Sequence, residues 1–227
     1  MKISEIFYSI QGEGMLTGVP SVFVRTSGCN LRCVWCDTPY TSWAPEGEQM
    51  SVGEVLACVR EHPAKHAVVT GGEPMIAPGI VELTKGIQGL GLHVTIETAG
   101  TIHQSVACDL MSISPKLENS TPHERGGGQW AAQHERLRYQ PEVLKQLMSE
   151  YEYQLKFVVA SPEDMAEISE MLGDIHADRN RVVLMPEGTN SEAIRERAAW
   201  LTEICKREGF RYSPRLHIDL WGNRRGV

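Results

Sequence analysis

Apolar residues recur along the chain in two alternating patterns from residue 51 onward. Short runs rich in β-branched residues predict strands, whereas apolar residues three and four positions apart predict helices. The predicted strands cover residues 22–25, 67–70, 93–98, 110–114, 154–159 and 182–185, with a final extended piece at 214–218. The predicted helices begin near residues 51, 80, 141, 161 and 191. Ser51 and Glu54 are spaced to cap the first of these helices.

This alternation of strands and helices predicts an α/β fold built on a parallel sheet. About six such units suit either a doubly wound sheet or an incomplete (β/α) barrel. In both architectures the functional residues gather at the C-terminal ends of the strands. We expect a single domain over residues 1–227. Residues 119–139 break the pattern with three consecutive glycines and mixed charges, which predicts an inserted loop or short helix.

Composition narrows the classes of function. Hydrophobic residues make up 41% and charged residues 22% of the chain, as in ordinary soluble globular proteins. No apolar run is long enough to span a bilayer, so we expect a cytoplasmic protein without a membrane partner. The 29 acidic residues outnumber the 22 basic ones. Because nucleic-acid binding needs a basic face, a small-molecule substrate is the better expectation.

Three of the six cysteines, Cys29, Cys33 and Cys36, form a CxxxCxxC array directly after the predicted strand at 22–25. Soft thiolate ligands on so short a segment select zinc or an iron–sulfur cluster. A structural zinc site usually has four ligands, and the sequence offers a fourth only at irregular spacings, from His62, His66 or Asp37. A cubane cluster held by three cysteines instead keeps one iron open for a ligand. The isolated Cys58, Cys108 and Cys205 are expected to be buried apolar residues.

A second motif, Gly71-Gly72-Glu73-Pro74, follows the predicted strand at 67–70. Glycines allow a ligand to approach the backbone closely, and a carboxylate can pair with an ammonium group. Together with the cysteine array and Trp35, which precedes the third cysteine, this motif resembles the radical S-adenosylmethionine superfamily. The resemblance implies a [4Fe-4S] cluster on the three cysteines, with S-adenosylmethionine bound to the open iron. The residues implied in binding that cofactor are Trp35, Asp37, Gly72, Glu73, Ser114, Pro115 and Lys116.

Further motifs, spread over almost the whole chain, resemble the 7-carboxy-7-deazaguanine synthases within that superfamily. They are Ser9–Gly14, Arg25, Cys36–Thr38, Glu97–Thr98, Ser114–Lys116 and the C-terminal Leu216–Asn223. The resemblance implies a lyase that converts 6-carboxy-5,6,7,8-tetrahydropterin to 7-carboxy-7-deazaguanine with loss of ammonia, in queuosine and deazapurine biosynthesis. It implies no acid or base from the protein, because the cluster and S-adenosylmethionine supply the chemistry.

The resemblance also implies a set of binding residues and partners. A magnesium ion is expected at Thr38, since hard oxygen ligands suit that ion. The implied substrate-binding residues are Ile10, Gln11, Gly12, Arg25, Thr70, His217 and Val227. Among these, Arg25 offers a planar fork that suits a carboxylate. A homodimer and an electron donor such as flavodoxin or ferredoxin are further implied partners.

Two other functions compete with this hypothesis. A radical S-adenosylmethionine activase, which makes a glycyl radical on a partner protein, would share the cysteine array and the Gly-Gly-Glu-Pro motif. It would not be expected to combine them with Gln11-Gly12-Glu13-Gly14, Asp37-Thr38 and the His217 segment. A non-catalytic zinc or iron–sulfur module belongs to another class, and metal analysis separates it from the synthase.

Overall fold

The computed structural model describes residues 1–227. The strands are β1 (Lys2–Ile10), β2 (Pro20–Thr26), β3 (Glu48–Gln49), β4 (His66–Gly71), β5 (His93–Thr98), β6 (Leu110–Ile113), β7 (Tyr153–Val159), β8 (Val182–Pro186) and β9 (Arg211–Tyr212). The helices are α1 (Pro39–Ser42), α2 (Val52–Arg60), α3 (Ile80–Gly89), α4 (Ala131–Arg138), α5 (Pro141–Glu150), α6 (Asp164–Asp174), α7 (Ser191–Glu208) and α8 (Leu216–Trp221). None of the helices is long and apolar enough to cross a lipid bilayer.

All nine strands belong to one open sheet, in the order β3-β1-β2-β4-β5-β6-β7-β8-β9. Seven strands, β2 and β4 through β9, run parallel to one another. Strand β1 pairs antiparallel with both β2 and β3. The predicted α/β fold with parallel strands in an incomplete barrel is therefore confirmed. Because the parallel strands share one direction, their C-terminal ends meet along a single edge.

The strand predicted as the first, at residues 22–25, is the second strand of the structure. It is preceded by β1, whose apolar residues Ile3, Ile6 and Ile10 follow no strict alternation. A bulge between Ile3 and Glu5 shifts the pairing register with β2, and such a bulge breaks the period-2 pattern that identifies strands. The sequence pattern for β1 was obscured for this reason.

The start of α2 follows its sequence signal. The Glu54 amide donates to the Ser51 hydroxyl at 3.2 Å, and the Ser51 amide donates to the Glu54 carboxylate at 2.7 Å. This reciprocal pair confirms the predicted cap and satisfies two backbone donors at the helix N-terminus. It turns Val55 and Val59 toward the sheet, where both are buried.

Two predicted elements are wrong in detail. Residues 214–218 are not extended, because Leu216–Trp221 form helix α8. Apolar residues alternate in this segment as in a strand, but only Ile218 is buried, whereas Leu220 is 54% exposed. The helix predicted to begin with Ser161 starts at Asp164, whose carboxylate accepts the Ser161 amide at 3.0 Å and holds a turn ahead of the helix.

Residues 119–139 contain two short 3₁₀ turns, Glu118–Ser120 and Arg125–Gly128, followed by α4. Gly126, Gly127 and Gly128 all adopt positive φ angles, between 67° and 71°. L-amino acids with a side chain rarely adopt this conformation, so the three glycines allow the chain to reverse here. The segment is thus partly helical and joins β6 to α5.

The isolated cysteines differ from one another in burial. Cys205 is buried in α7, as expected for a small apolar residue. Cys58 and Cys108 are only half-buried, so the expectation of full burial is wrong for these two. The Cys108 thiol lies 3.7 Å from the Val94 carbonyl oxygen, to which it donates a weak hydrogen bond.

Candidate active site

A cavity of about 230 Å³ opens at the C-terminal ends of the parallel strands, beside the end of β1 and helix α8. Most of the predicted site residues line it. They are Ile10, Gln11, Gly12, Arg25, Cys29, Cys33, Trp35, Cys36, Asp37, Thr38, Thr70, Gly72, Ser114, Lys116, His217 and Val227. Two predicted residues, Glu73 and Pro115, do not reach the cavity wall. Residues more than 200 positions apart in the sequence thus share one site.

The cluster loop, residues 27–38, carries the three cysteines along one wall of the cavity. The Leu31 amide donates to the Cys29 sulfur at 3.3 Å, and the Cys36 sulfur lies 3.2 Å from the Ser42 hydroxyl. Burial raises the pKa of both Cys29 and Cys33 to about 12. The side-chain ammonium of Lys116 acts in the opposite direction on the pKa of Cys33. A cation at this wall favours thiolates over thiols.

The three cysteines fit a multi-iron cluster better than a single ion. No group of three Cys, His, Asp or Glu side chains meets around one metal position. A cubane binds each thiolate to a different iron atom, so its ligands do not have to converge on one point. Beside Cys29, a Cβ atom on Gly72 would lie 2.0 Å from the Gly28 carbonyl oxygen and 2.9 Å from the Cys29 Cβ. Bare backbone therefore lies directly against the cluster loop.

Replacing Gly72 with Ala should displace this loop. The added methyl group cannot fit without moving Gly28 or Cys29, and such overpacking typically costs about 1–3 kcal/mol. We expect the variant to bind less iron and sulfide per chain after anaerobic reconstitution, measured by elemental and sulfide analysis. Gly173→Ala is the matched control, because a Cβ there meets no atom within 4 Å. Full iron and sulfide content in Gly72→Ala would show that the close approach is unimportant.

Glu73 lies behind the glycine pair and is 1% exposed. Its carboxylate accepts hydrogen bonds from the Thr98 hydroxyl at 2.8 Å, the Ala99 amide at 2.8 Å and the Met75 amide at 3.1 Å. Burial raises the pKa of the Glu73 carboxyl, and these three donors oppose that shift. Because two of these donors belong to residues 98 and 99, Glu73 anchors the glycine turn to the end of β5. Direct contact of this carboxylate with a cofactor stays a prediction.

The segment after β6 places Ser114 and Lys116 on the cavity wall, whereas Pro115 between them is buried. The Lys116 ammonium donates to the Ser114 carbonyl at 2.6 Å and to its hydroxyl at 2.9 Å. A buried proline with no amide hydrogen holds this turn rigid but offers a ligand little. The predicted role of Pro115 is therefore limited to shaping the segment.

Opposite the cluster loop, polar side chains converge around Glu97. The Gln11 side-chain amide donates to one Glu97 oxygen at 3.0 Å, and the Thr70 hydroxyl donates to the other at 2.7 Å. A Cβ on Gly12 would lie 2.0 Å from His217 Nδ1, so the His217 ring packs against bare backbone. Together these groups bring hydrogen-bonding side chains to the cavity wall, which suits the polar edge of a flat heterocycle.

Four charged residues form a network in the cavity wall: Glu13, Lys156 and Arg215, whose side chains are largely buried, and Asp37, whose side chain is 36% exposed. The Glu13 carboxylate accepts from the Lys156 ammonium and from Arg215 Nε, the latter at 3.0 Å. The Arg215 guanidinium also donates to the Asp37 carboxylate and to the Gly188 carbonyl. Lys156 and Arg215 are each only 5% exposed. The network thus ties the loop after β1 to the cluster loop through the residue that precedes α8.

Charge pairing outweighs burial in this network. Burial raises the pKa of Glu13, but the charges of Lys156 and Arg215 lower it by more than burial raises it. The pKa of Glu13 therefore lies well below the ordinary carboxyl value. Burial likewise raises the pKa of Asp37, and Arg215 holds it below its ordinary value. Both carboxyl groups are therefore ionised at neutral pH. Desolvation lowers the pKa of His217, which favours a neutral imidazole.

Four residues of the cavity, Glu13, Glu97, Lys156 and Arg215, had no predicted role. Lys156 had a usable signal, because it stands between Leu155 and Phe157 in an otherwise apolar strand. Glu97 had a weaker one, as a carboxylate near the end of β5. Arg215 had none, since its two carboxylate partners lie about 180 and 200 residues away.

Arg25 and Thr38 each keep polar atoms available to a ligand. Arg25 Nε donates to Glu5 at 2.6 Å, and its Nη groups make no hydrogen bond within the chain. Tyr40 also donates to Glu5, at 2.9 Å. Thr38 precedes α1, but its side chain makes no capping hydrogen bond to that helix. The free edge of the Arg25 guanidinium thus faces the same cavity as the Thr38 hydroxyl, which accepts a hydrogen bond from the Thr41 hydroxyl at 3.4 Å.

The C-terminal residues cross the mouth of the cavity. Val227 lines the cavity together with Asn223 and Arg224. The Arg225 guanidinium lies 3.4 Å from the centroid of the Tyr40 ring and pairs with Glu46 at 3.0 Å. These contacts fasten the tail to α1 and to the loop that follows it.

Comparisons with known proteins agree with this geometry. Residues 23–114 match the model of the Radical SAM superfamily. The chain is 46% identical to a 7-carboxy-7-deazaguanine synthase of Halobacterium salinarum, over 98% of this chain and 91% of that protein. It is also 46% identical to the synthase of the same name from Rhodopirellula baltica, over 99% and 88%. The crystal structure of QueE from Escherichia coli superposes with a TM-score of 0.69 at 28% identity, covering 95% of this chain and 94% of that one.

Proposed function

The chain belongs to the 7-carboxy-7-deazaguanine synthase family of radical S-adenosylmethionine enzymes, and from this membership we propose the reaction that it catalyses and the roles of its residues. The proposed reaction converts 6-carboxy-5,6,7,8-tetrahydropterin to 7-carboxy-7-deazaguanine with loss of ammonia. The observation that carries this proposal is that one cavity holds both the three cysteines and the polar set around Gln11, Glu97 and His217.

The thiols of Cys29, Cys33 and Cys36 would hold the [4Fe-4S] cluster and leave one iron free for S-adenosylmethionine. When bound, the cluster and S-adenosylmethionine supply reductive cleavage and hydrogen abstraction, chemistry that belongs to the cofactor. The chain's own part is to orient the two ligands. Trp35, Gly72, Ser114 and Lys116 line the side of the cavity assigned to S-adenosylmethionine, and the Lys116 ammonium suits its carboxylate.

The pterin is assigned to the opposite side of the cavity. The Glu97 carboxylate and the Gln11 amide would hold the polar edge of the ring, with Thr70 fixing the direction of Glu97. His217 packs on Gly12 and would donate or accept at the ring plane. The free edge of the Arg25 guanidinium would bind the substrate carboxylate. Ile10 and Val227 would close the cavity above the ring.

A magnesium ion is proposed at Thr38. Its hydroxyl lies on the cavity wall and accepts one hydrogen bond, from the Thr41 hydroxyl at 3.4 Å, so a second oxygen lone pair is available to the ion. Asp37 is already paired with Arg215, which argues that substrate oxygens and water would complete the coordination. Asp37, held in place by Arg215, would then lie beside the ion and contact S-adenosylmethionine.

Four further assignments follow from family membership. We propose a single radical S-adenosylmethionine domain over residues 1–227 and a homodimer. An acidic one-electron donor such as flavodoxin or ferredoxin would reduce the cluster. A cytoplasmic location agrees with six cysteines that form no disulfide.

The proposed reaction is tested with anaerobically reconstituted enzyme, reductant, S-adenosylmethionine and carboxytetrahydropterin. We expect carboxydeazaguanine by chromatography and mass spectrometry, and a higher rate when Mg²⁺ is added. Thr38→Val removes the hydroxyl at nearly the same volume, so it should reduce the dependence on Mg²⁺ while iron content stays unchanged. An intact cluster that yields 5′-deoxyadenosine without carboxydeazaguanine would contradict the assigned substrate and favour an activase. Zinc in place of iron and sulfide would contradict both.

A further inference from the structure

The inserted segment, residues 119–139, packs directly on the outer side of the cluster loop. The Val34 amide donates to the Ser120 carbonyl at 2.8 Å, and Trp35 Nε1 donates to the Asn119 carbonyl at 3.1 Å. Arg125 donates to the Val34 carbonyl at 2.6 Å. Three consecutive contacts of this kind leave the backbone around the second and third cysteines little freedom.

A buried histidine completes this interface. His134 of α4 is 1% exposed, and its Nδ1 accepts the Arg32 amide at 3.1 Å. Its Nε2 lies 2.8 Å from the Ser120 hydroxyl, which donates in turn to the Leu117 carbonyl at 2.6 Å.

The Arg32 amide fixes the direction of this series of hydrogen bonds. Because the Arg32 amide can only donate, Nδ1 carries no hydrogen, and the proton of the neutral ring lies on Nε2. Burial lowers the pKa of His134 to about 4, in agreement with a neutral ring. The imidazole is thus locked in one tautomer by two partners.

Arg32 directly precedes Cys33, and its side chain reaches back to Cys29. Its guanidinium donates to the Cys29 carbonyl and to the Leu31 carbonyl, both at 2.7 Å, and lies 4.8 Å from the centroid of the Trp130 ring. Both the amide and the side chain of Arg32 are therefore held by the inserted segment. The neighbouring Leu31 amide instead donates a hydrogen bond to the Cys29 sulfur.

We propose that His134 is a positioning residue for the cluster, which acts by fixing the Arg32 amide and thereby the directions of Cys29 and Cys33. Without the imidazole acceptor, the partly buried Arg32 amide loses its partner, and the loop turns to satisfy it. The inserted segment then serves to retain the cluster and to set its electronic environment. This inference rests on the cluster alone and does not depend on which substrate the enzyme takes.

The test compares His134→Leu, which removes both ring nitrogens, with His134→Gln, which keeps an acceptor and a donor. Each reconstituted protein is mixed with an iron chelator, and iron release is followed with time. Partners beyond the ligands typically contribute 10–100-fold to metal affinity, so His134→Leu should lose iron about 10-fold faster. Its reduced cluster should also show a changed electron paramagnetic resonance spectrum and midpoint potential. His134→Gln should restore all three properties toward wild type.

Two controls separate positioning from a general loss of stability. Gln133→Leu changes an exposed neighbour on the same helix and should leave iron release unchanged. The melting temperature of each cluster-free protein is measured in parallel. Wild-type iron release and spectrum in folded His134→Leu would overturn the inference, as would faster release in Leu and Gln variants that tracks equal losses of melting temperature.

If His134→Leu does not fold, Ser120→Ala takes its place, because it removes the Nε2 partner and keeps the ring. Loss of one such hydrogen bond should speed iron release about 3-fold, in line with its usual worth of about 0.5–1.5 kcal/mol. A wild-type rate in Ser120→Ala would then contradict the proposal.

Discussion

Replacing Arg215 with Gln is expected to lower the free energy of unfolding by about 3 kcal/mol at neutral pH and to reduce kcat/KM about 100-fold. Removing one partner of a buried ion pair usually costs about 3–5 kcal/mol, because the other charge stays buried without compensation. The lower end applies here, since Lys156 stays beside Glu13 and the Asp37 side chain is 36% exposed. Activity falls because Glu13 and Asp37 line the cavity proposed to hold the two ligands, and a displacement of about 1 Å can cost 10²-fold.

The stability difference should shrink as the pH falls. In the wild type, the lowered pKa values of Glu13 and Asp37 give stabilisation that is complete above about pH 4 and lost below it, as pH falls through those values. In Arg215→Gln the same carboxyl groups keep their burial without that partner, so their pKa values rise. Protonation then relieves the variant's penalty first, and the two unfolding free energies approach each other as the pH falls toward the ordinary carboxyl range, about pH 4.

Urea unfolding of the cluster-free wild type and Arg215→Gln, at neutral pH and at about pH 4.5, measures this effect. Lys206→Gln is the control, since it breaks an exposed pair with Glu203 in which both side chains are about two-thirds exposed. Such pairs contribute about 0–1 kcal/mol. Equal stabilities of wild type and Arg215→Gln at neutral pH would mean that the buried network does not hold the site together.

Replacing Cys33 with Ala should abolish product formation. The cavity offers three thiols to the cluster, and removing one leaves two irons of a cubane without a protein ligand. Cys33 is also the most buried of the three, so water replaces its sulfur poorly. We expect the purified variant to lose the visible absorbance and most of the iron of the wild type.

Cys205→Ala is the matched variant for this experiment. Cys205 is likewise buried, at 5% against 8% exposure for Cys33, but it lies in α7 on the apolar core. It should keep its iron, its absorbance and its activity, at a cost in stability that reflects a small cavity. A Cys33→Ala enzyme that still turns over would remove Cys33 from the cluster ligands.

Local patterns made the sheet and most helices predictable. The apolar runs that became β4, β5 and β8 are buried along their middle, and the Ser51–Glu54 cap depends on residues three positions apart. Where local signals conflict with tertiary contacts, prediction failed. Helix α8 shows strand-like alternation, and its conformation follows from the burial of Ile218 and from Arg215, which is held by distant carboxylates.

The site residues also differ in whether local sequence or tertiary contacts reveal them. The spacing of Cys29, Cys33 and Cys36 predicts that they share one site, because one short loop carries all three. Glu97 and Lys156 acquire their meaning only when β5 and β7 place them beside residues from the N-terminal loop. Glu73 shows the converse: its motif is recognisable in the sequence, but the three donors that hold its carboxylate come from residues that only the fold brings to it or only the turn aligns with it.

The stoichiometry of S-adenosylmethionine tests the proposed synthase most directly. Anaerobically reconstituted enzyme is given reductant, Mg²⁺, excess carboxytetrahydropterin and a limiting amount of S-adenosylmethionine, and carboxydeazaguanine and 5′-deoxyadenosine are counted together. We predict many molecules of product for each S-adenosylmethionine consumed, because the resemblance to the synthases implies that the adenosyl radical is regenerated into this cofactor after each rearrangement. Consumption of one S-adenosylmethionine per turnover, or no carboxydeazaguanine from an enzyme with an intact cluster, would contradict the assignment.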